Sequence, residues 1–173
     1  MKTMEATITY NPDLTQIING EEVMSPSPFI PHQRVQIRLL RFLGNHVEPD
    51  NLGELFVAPL DVIFEEGFNV LQPDIIFISR ENQDIMKEWI RGVPDLVVEI
   101  VSKSSVKMDT VIKKEIYERY GVPECWIVFP DKTKIEIFEL VNGKYQLSGS
   151  YQGNQEVSSP ALPGLHFKAS AIF

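Results

Sequence analysis

The chain has 173 residues, 43% hydrophobic and 23% charged, with one cysteine; this suits a single soluble domain over 1–173 and excludes a disulfide framework or a cysteine-built zinc site. The net charge of −8, from 16 basic and 24 acidic residues, argues against a partner held by bulk electrostatics, although a local basic patch or bound cations reverse the field at a site. No stretch approaches the roughly 20 apolar residues of a membrane span, "MKTMEATITYNPDL" lacks the apolar core of a signal peptide, and a lone cysteine fits a reducing compartment, so the expectation is a cytoplasmic protein without membrane contact.

In chain order, the first 30 residues read as loop-rich and end in the proline-punctuated "MSPSPFIPH". A helix is expected over "PHQRVQIRLLRFLGNH", where Val35, Leu39, Phe42 and Leu43 recur at helical spacing and Gly44 is a plausible stop. Strands follow at "ELFVAPLDVIF" and "DIIFIS", and "ENQDIMKEWIRGVP" holds a short helix. The run over 95–102 is a strand that reads as covered on both faces. "DTVIKKEIYERYG" is a second helix, with Asp109 as candidate N-cap, Ile112, Ile116 and Tyr120 as a stripe, and Gly121 and Pro123 as its end. "ECWIVFP" and "KIEIFEL" are strands, and Asn142-Gly143 suits a type I′ hairpin turn. Helix, strands, helix, strands gives an α/β or α+β fold with a mixed central sheet.

Glu99 is the anomaly, a carboxylate inside an apolar strand, where an unpartnered charge is costly. Alternation puts Glu99 on one face with Asp95, Val97, Val101 and Lys103. If the strand that Asp74 opens is the antiparallel neighbour, Asp74 falls near Glu99, whereas Asp95 lies about 13 Å away at the usual strand rise. Two close carboxylates repel unless a cation sits between them, and oxygen ligands on a rigid sheet suit Mg²⁺ or Mn²⁺. The ordinary readings are a salt-bridged strand-end Glu99 and a turn-forming Asp74 after Pro73.

An Asp after Pro opening one strand, followed by a Glu within a second, resembles the PD-(D/E)XK nuclease superfamily. The wider series "NGEEVMSPSPFIPHQRV", "QPDIIFIS", "VPDLVVEIVSKSS", "DTVIKKEIYERYGVPECWIVFP" and "PGLHF", spanning 19–167, is similar to its Uma-type branch of restriction-endonuclease-like proteins. The resemblance implies a restriction-endonuclease-like mixed sheet flanked by helices, and Mg²⁺- or Mn²⁺-dependent hydrolysis of DNA phosphodiesters. Asp74, Glu99 and the backbone carbonyl of Ile100 would hold the metal, which polarises the phosphate and activates water.

The superfamily's lysine two residues after the Glu is Val101 here. The Uma-type branch also lacks it and supplies a lysine from the following helix, at the position of Lys113, which would orient or deprotonate the attacking water and offset phosphate charge. Lys103 is the rival, on the strand face of Glu99 and where the branch usually has proline. Glu21, in the family's Gly-Glu pair, is a candidate further metal ligand. His32, matching the family's histidine, is a candidate phosphate contact or support for a ligand, with Gln33 a weaker companion. Lys103, Lys107 and Lys114, with arginines of the first helix (Arg34, Arg38, Arg41), are candidate nucleic-acid contacts; their ordinary reading is a solvated helix face. A homodimer would let two sites cut both strands. Two alternatives stand beside the nuclease: a decayed nuclease fold that only binds nucleic acid, which Val101 favours, and an interaction module in which Asp74 and Glu99 merely cap and salt-bridge.

Overall fold

The computed structural model of the protein describes residues 14–25 and 27–173, so the readings that fall on the first 13 residues and on Pro26 lie outside it. Where sequence suggests loop, the described chain opens on a hairpin, β1 (Thr15–Ile18) and β2 (Glu21–Met24), turned by Asn19-Gly20 with φ of 51° and 83°. Helix α1 (Ile30–Val47) begins with Pro31 in its first turn and runs through Gly44 instead of stopping there. Its buried stripe is Val35, Leu39, Leu43 and Val47, so one more turn of apolar spacing outweighs the intrinsic cost of one glycine.

The strands that follow are β3 (Gly53–Val57), β4 (Val62–Glu65), β5 (Asn69–Leu71), β6 (Ile75–Ser79), β7 (Ile90–Arg91) and β8 (Leu96–Ile100), with a 3₁₀ turn at Arg80–Ile85. A wide π-helical turn, Met108–Lys113, leads into α2 (Lys114–Tyr120), which Gly121 ends in the left-handed region at φ 84°. Then come β9 (Glu124–Phe129), β10 (Lys134–Val141), β11 (Lys144–Gln152), β12 (Glu156–Val157) and β13 (Phe167–Lys168). β10 and β11 join through Asn142-Gly143, both at positive φ as their turn requires.

The central sheet has six strands in the order β11-β10-β9-β8-β6-β3 and is mixed, because only β8 and β9 run parallel. A second sheet, β2-β1-β5-β4-β7, covers part of one face. Alternation divides β8 as the sequence suggests. Leu96, Val98 and Ile100 pack with the α1 stripe and Trp126, whereas Val97 and Val101 pack with Ile116, Tyr117 and Cys125. The fold is thus α+β, a mixed sheet between helices. Among the described residues no helix is long and apolar enough to cross a membrane.

Candidate active site

β6 and β8 are antiparallel with Ile75 opposite Val98, which puts Asp74 across from Glu99 at the end of the pair. Asp74 is fixed from two sides: the Ile100 backbone N–H donates to its Oδ2 at 2.6 Å, and His32 Nε2 stands 3.1 Å from the same oxygen. His32 comes from the first turn of α1, and one turn on, Gln36 Nε2 donates to the Asp74 carbonyl at 2.7 Å. The His32 Nδ1 is buried with no hydrogen-bond partner, in a residue that lines the cavity.

Glu99 is 2% exposed. Lys113 Nζ donates to both of its oxygens at 3.1 Å, and the Tyr117 hydroxyl donates to its Oε1. Lys113 is itself 5% exposed and has Asp109 Oδ1 at 3.8 Å, one turn back. Burial pushes the Glu99 carboxyl up to about 8, against the pull of Lys113, and Asp109 and Asp74 add to the rise. Burial likewise raises Asp109 and Tyr117. Burial opposes the charge on Lys113, but Glu99, Asp109 and Asp74 together outweigh it and hold the ammonium above its ordinary range. The floor therefore carries three carboxylates around one buried lysine.

His32, Asp74, Glu99, Asp109 and Lys113 line a cavity of about 320 Å³, bounded by Phe29 and Met24 at its mouth and by Ser102 and Ser105 at the start of the α2 segment. Sequence reasoning missed Tyr117, which reads as one more apolar position of the α2 stripe. It also misread Asp109, which does not cap the helix: helical backbone already runs from Val106, and Asp109 is buried within the π-helical turn. Lys113 and Tyr117 stand four residues apart, one helical turn, so the helix face that carries the lysine to Glu99 carries the tyrosine there too; that spacing was the available signal.

Other candidates stand elsewhere. Lys103 does not share the face of Glu99, because β8 ends at Ile100 and Ser102 and Ser105 close a serine turn (Ser102 N–H to Ser105 Oγ, 3.0 Å) that leaves Lys103 exposed, outside the cavity. Glu21 is exposed beside the β1–β2 turn, while the opposite end of that hairpin, at Met24 and Ser25, lines the cavity. Lys107 is exposed, and Lys114 lies 4.2 Å over the Phe138 ring, toward β10. Arg38 donates to the Phe173 carbonyl; Arg34 and Arg41 are exposed.

The donors fit a hard divalent ion. They are all oxygen, two of the carboxylates face each other in register, and carboxylates exceed cations on a buried floor. Among the described residues no three His, Cys, Asp or Glu side chains converge as a ready-made ligand set, so remaining positions would fall to backbone, water and phosphate oxygens, a sharing that Mg²⁺ favours.

A family model described as "Putative restriction endonuclease", Uma2, matches residues 8–170. The chain belongs to the Uma2 family. A solved structure shares this fold: "a putative nuclease belonging to DUF820" from Anabaena variabilis ATCC 29413, with a TM-score of 0.77 over 92% of this chain and 89% of that one, at 17% identity. No curated protein matches. Membership of the Uma2 family covers β1 to β13 and so includes every residue of the site just described.

Proposed function

We propose that the protein is a metal-dependent DNA nuclease that hydrolyses phosphodiester bonds, with Asp74, Glu99 and the Ile100 carbonyl as metal ligands and Lys113 as the catalytic lysine. The observation that carries this reading is the opposition of Asp74 and Glu99 on β6 and β8, with a buried ammonium against the second of them. Family membership supports it independently.

A divalent cation, Mg²⁺ or Mn²⁺, supplies Lewis-acid polarisation of the phosphate and acidifies water. The chain's own residues do the rest. Asp74 is held in one orientation by the Ile100 N–H and His32, so it meets an incoming cation without reorganising. Tyr117 does the same for Glu99. Lys113 remains an ammonium at neutral pH, which suits it to orient water and offset charge building on the phosphate oxygens, and not to accept a proton. His32 acts on the site through Asp74, whose Oδ2 its Nε2 faces at 3.1 Å. A cytoplasmic setting belongs to the same proposal and is supported by the lone cysteine, the buried Cys125. A single domain over the whole chain and a homodimer remain parts of the same proposal.

The test is cleavage of supercoiled plasmid and of single strands with Mg²⁺ or Mn²⁺ beside EDTA. Metal-dependent cleavage should fall by 10²-fold or more in Asp74→Asn, Glu99→Gln and Lys113→Met, and stay within a few-fold of wild type in Lys103→Met. Cleavage unaffected by Glu99→Gln overturns the assignment. DNA binding without cleavage by wild type would favour a fold that has kept binding and lost chemistry.

A further inference from the structure

The mouth of the cavity is built unlike its floor. Two of its wall residues, Phe29 and Met24, are large apolar side chains left 69% and 76% exposed, and Ile30 beside them is 74% exposed. Lys113, at the floor, is the only lysine or arginine among the described residues that line the cavity, against Asp74, Glu99 and Asp109. The side chains between mouth and floor that are neither apolar nor charged are glutamines and serines, including Gln33, Ser25 and Ser27. Such a wall carries little phosphate attraction, and the chain as a whole is acidic at −8. A duplex earns its affinity through many phosphate contacts, and its bases are covered on both faces. An unpaired base has free faces and stacks on an aromatic side chain without any charge requirement. The cavity, at about 320 Å³, is on the scale of one nucleotide.

We propose that Phe29, with Met24 beside it, is a stacking platform for an unpaired base, so that the site takes single-stranded DNA. This rests on the nuclease reading for the floor. The base lies on the Phe29 ring, the adjoining phosphate enters toward Lys113, and Gln33 at the rim offers an amide to a base edge.

The test is fluorescence anisotropy with a labelled single-stranded 20-mer and the same sequence as duplex, in Ca²⁺ to hold back cleavage, on wild type, Phe29→Ala and Phe29→Trp. Single strand should bind at least ten-fold tighter than duplex. Phe29→Ala should weaken single-strand binding by about 5- to 150-fold, the range of one lost base stack, and leave duplex binding unchanged. Phe29→Trp should restore affinity and show indole quenching on binding. Because Phe29 is mostly exposed, the alanine variant should keep its fold, and circular dichroism with the tryptophan variant checks this. Equal or tighter duplex binding, or unchanged affinity in Phe29→Ala, overturns the proposal. Cleavage read in parallel separates the two claims: Glu99-dependent cutting of duplex, indifferent to Phe29→Ala, would sink the platform and keep the nuclease. Single-strand binding that needs Phe29, without metal-dependent cutting, would do the reverse.

Discussion

Glu99 and Glu124 stand on adjacent strands, both buried, and differ in their company. Glu124 accepts from Trp126 Nε1 at 2.5 Å, Ser159 Oγ at 2.6 Å and the Ala161 N–H at 2.7 Å, all neutral, the last two tying β9 to the C-terminal segment. Glu99 has a lysine, a tyrosine and two nearby carboxylates in a cavity. The first is a structural carboxylate, and the second is the one proposed here to take a cation. The pH dependence follows. The folded protein holds a proton on Glu99 up to about 8, while the unfolded chain releases it near 4.5. Between those values the folded state binds more protons, so this group's contribution to stability falls as pH rises, by on the order of 4 kcal/mol across the window. Urea denaturation of wild type and Glu99→Gln from pH 5 to 8 should show that the difference between them depends on pH, with wild type losing ground as pH rises. Parallel curves would contradict the burial argument. The Lys113 ammonium pulls the Glu99 carboxyl down against burial, so without it the carboxyl takes up a proton at pH 8 that it already carries at pH 5; Lys113→Ala should therefore destabilise the fold more at pH 8 than at pH 5. Lys103→Ala, on an exposed turn, should stay within about 0.5 kcal/mol of wild type.

At the scale of elements, the parts legible in the sequence were those with a strong period. The α1 stripe, the faces of β8 and the Asn142-Gly143 turn all follow from it. The antiparallel neighbours β6 and β8 were inferable because Asp74 and Glu99 make sense together only that way round. What failed was punctuation. Asn19-Gly20 carries the same turn chemistry as Asn142-Gly143, but the four-residue strands beside it are too short and polar to display a period. Gly44 reads as a stop although the apolar stripe continues to Val47. Lys103 reads as strand because alternation extends on paper past Ile100, while the serines after it make a turn. The π-helical turn has no signature at all in residue spacing, yet it holds Asp109 and Lys113 toward Glu99. Backbone geometry also sets which glycines are replaceable. A Cβ on Gly53 would lie within 3.0 Å of the Ile78 carbonyl and the Phe77 ring, so Gly53→Ala should pry β3 from β6 and cost about 2 kcal/mol or more. Gly121→Ala meets nothing in space and bears only its positive φ, about 1 kcal/mol. Thermal melts should rank them in that order; the reverse order would contradict the packing of β3.

Across the whole molecule, the sheet does one thing for the site: it brings Asp74 and Glu99 to the same end of β6 and β8, where α1 delivers His32 and the α2 segment delivers Lys113. Four separate stretches thus meet at one cavity in a chain whose net charge repels the proposed substrate. A cation at the carboxylates would resolve that conflict locally, reversing the field where the proposed phosphate enters. This makes metal affinity the central physical claim, and it can be read without activity. The measurement is Mn²⁺ titration followed by electron paramagnetic resonance, counting free ion, on wild type, Asp74→Asn and Glu99→Gln at pH 8. Wild type should take up Mn²⁺, Mg²⁺ should compete, and each variant should weaken uptake by ten-fold or more. Mn²⁺ uptake by both variants equal to that of wild type, or none by wild type, would leave Glu99 as no more than the buried partner of Lys113.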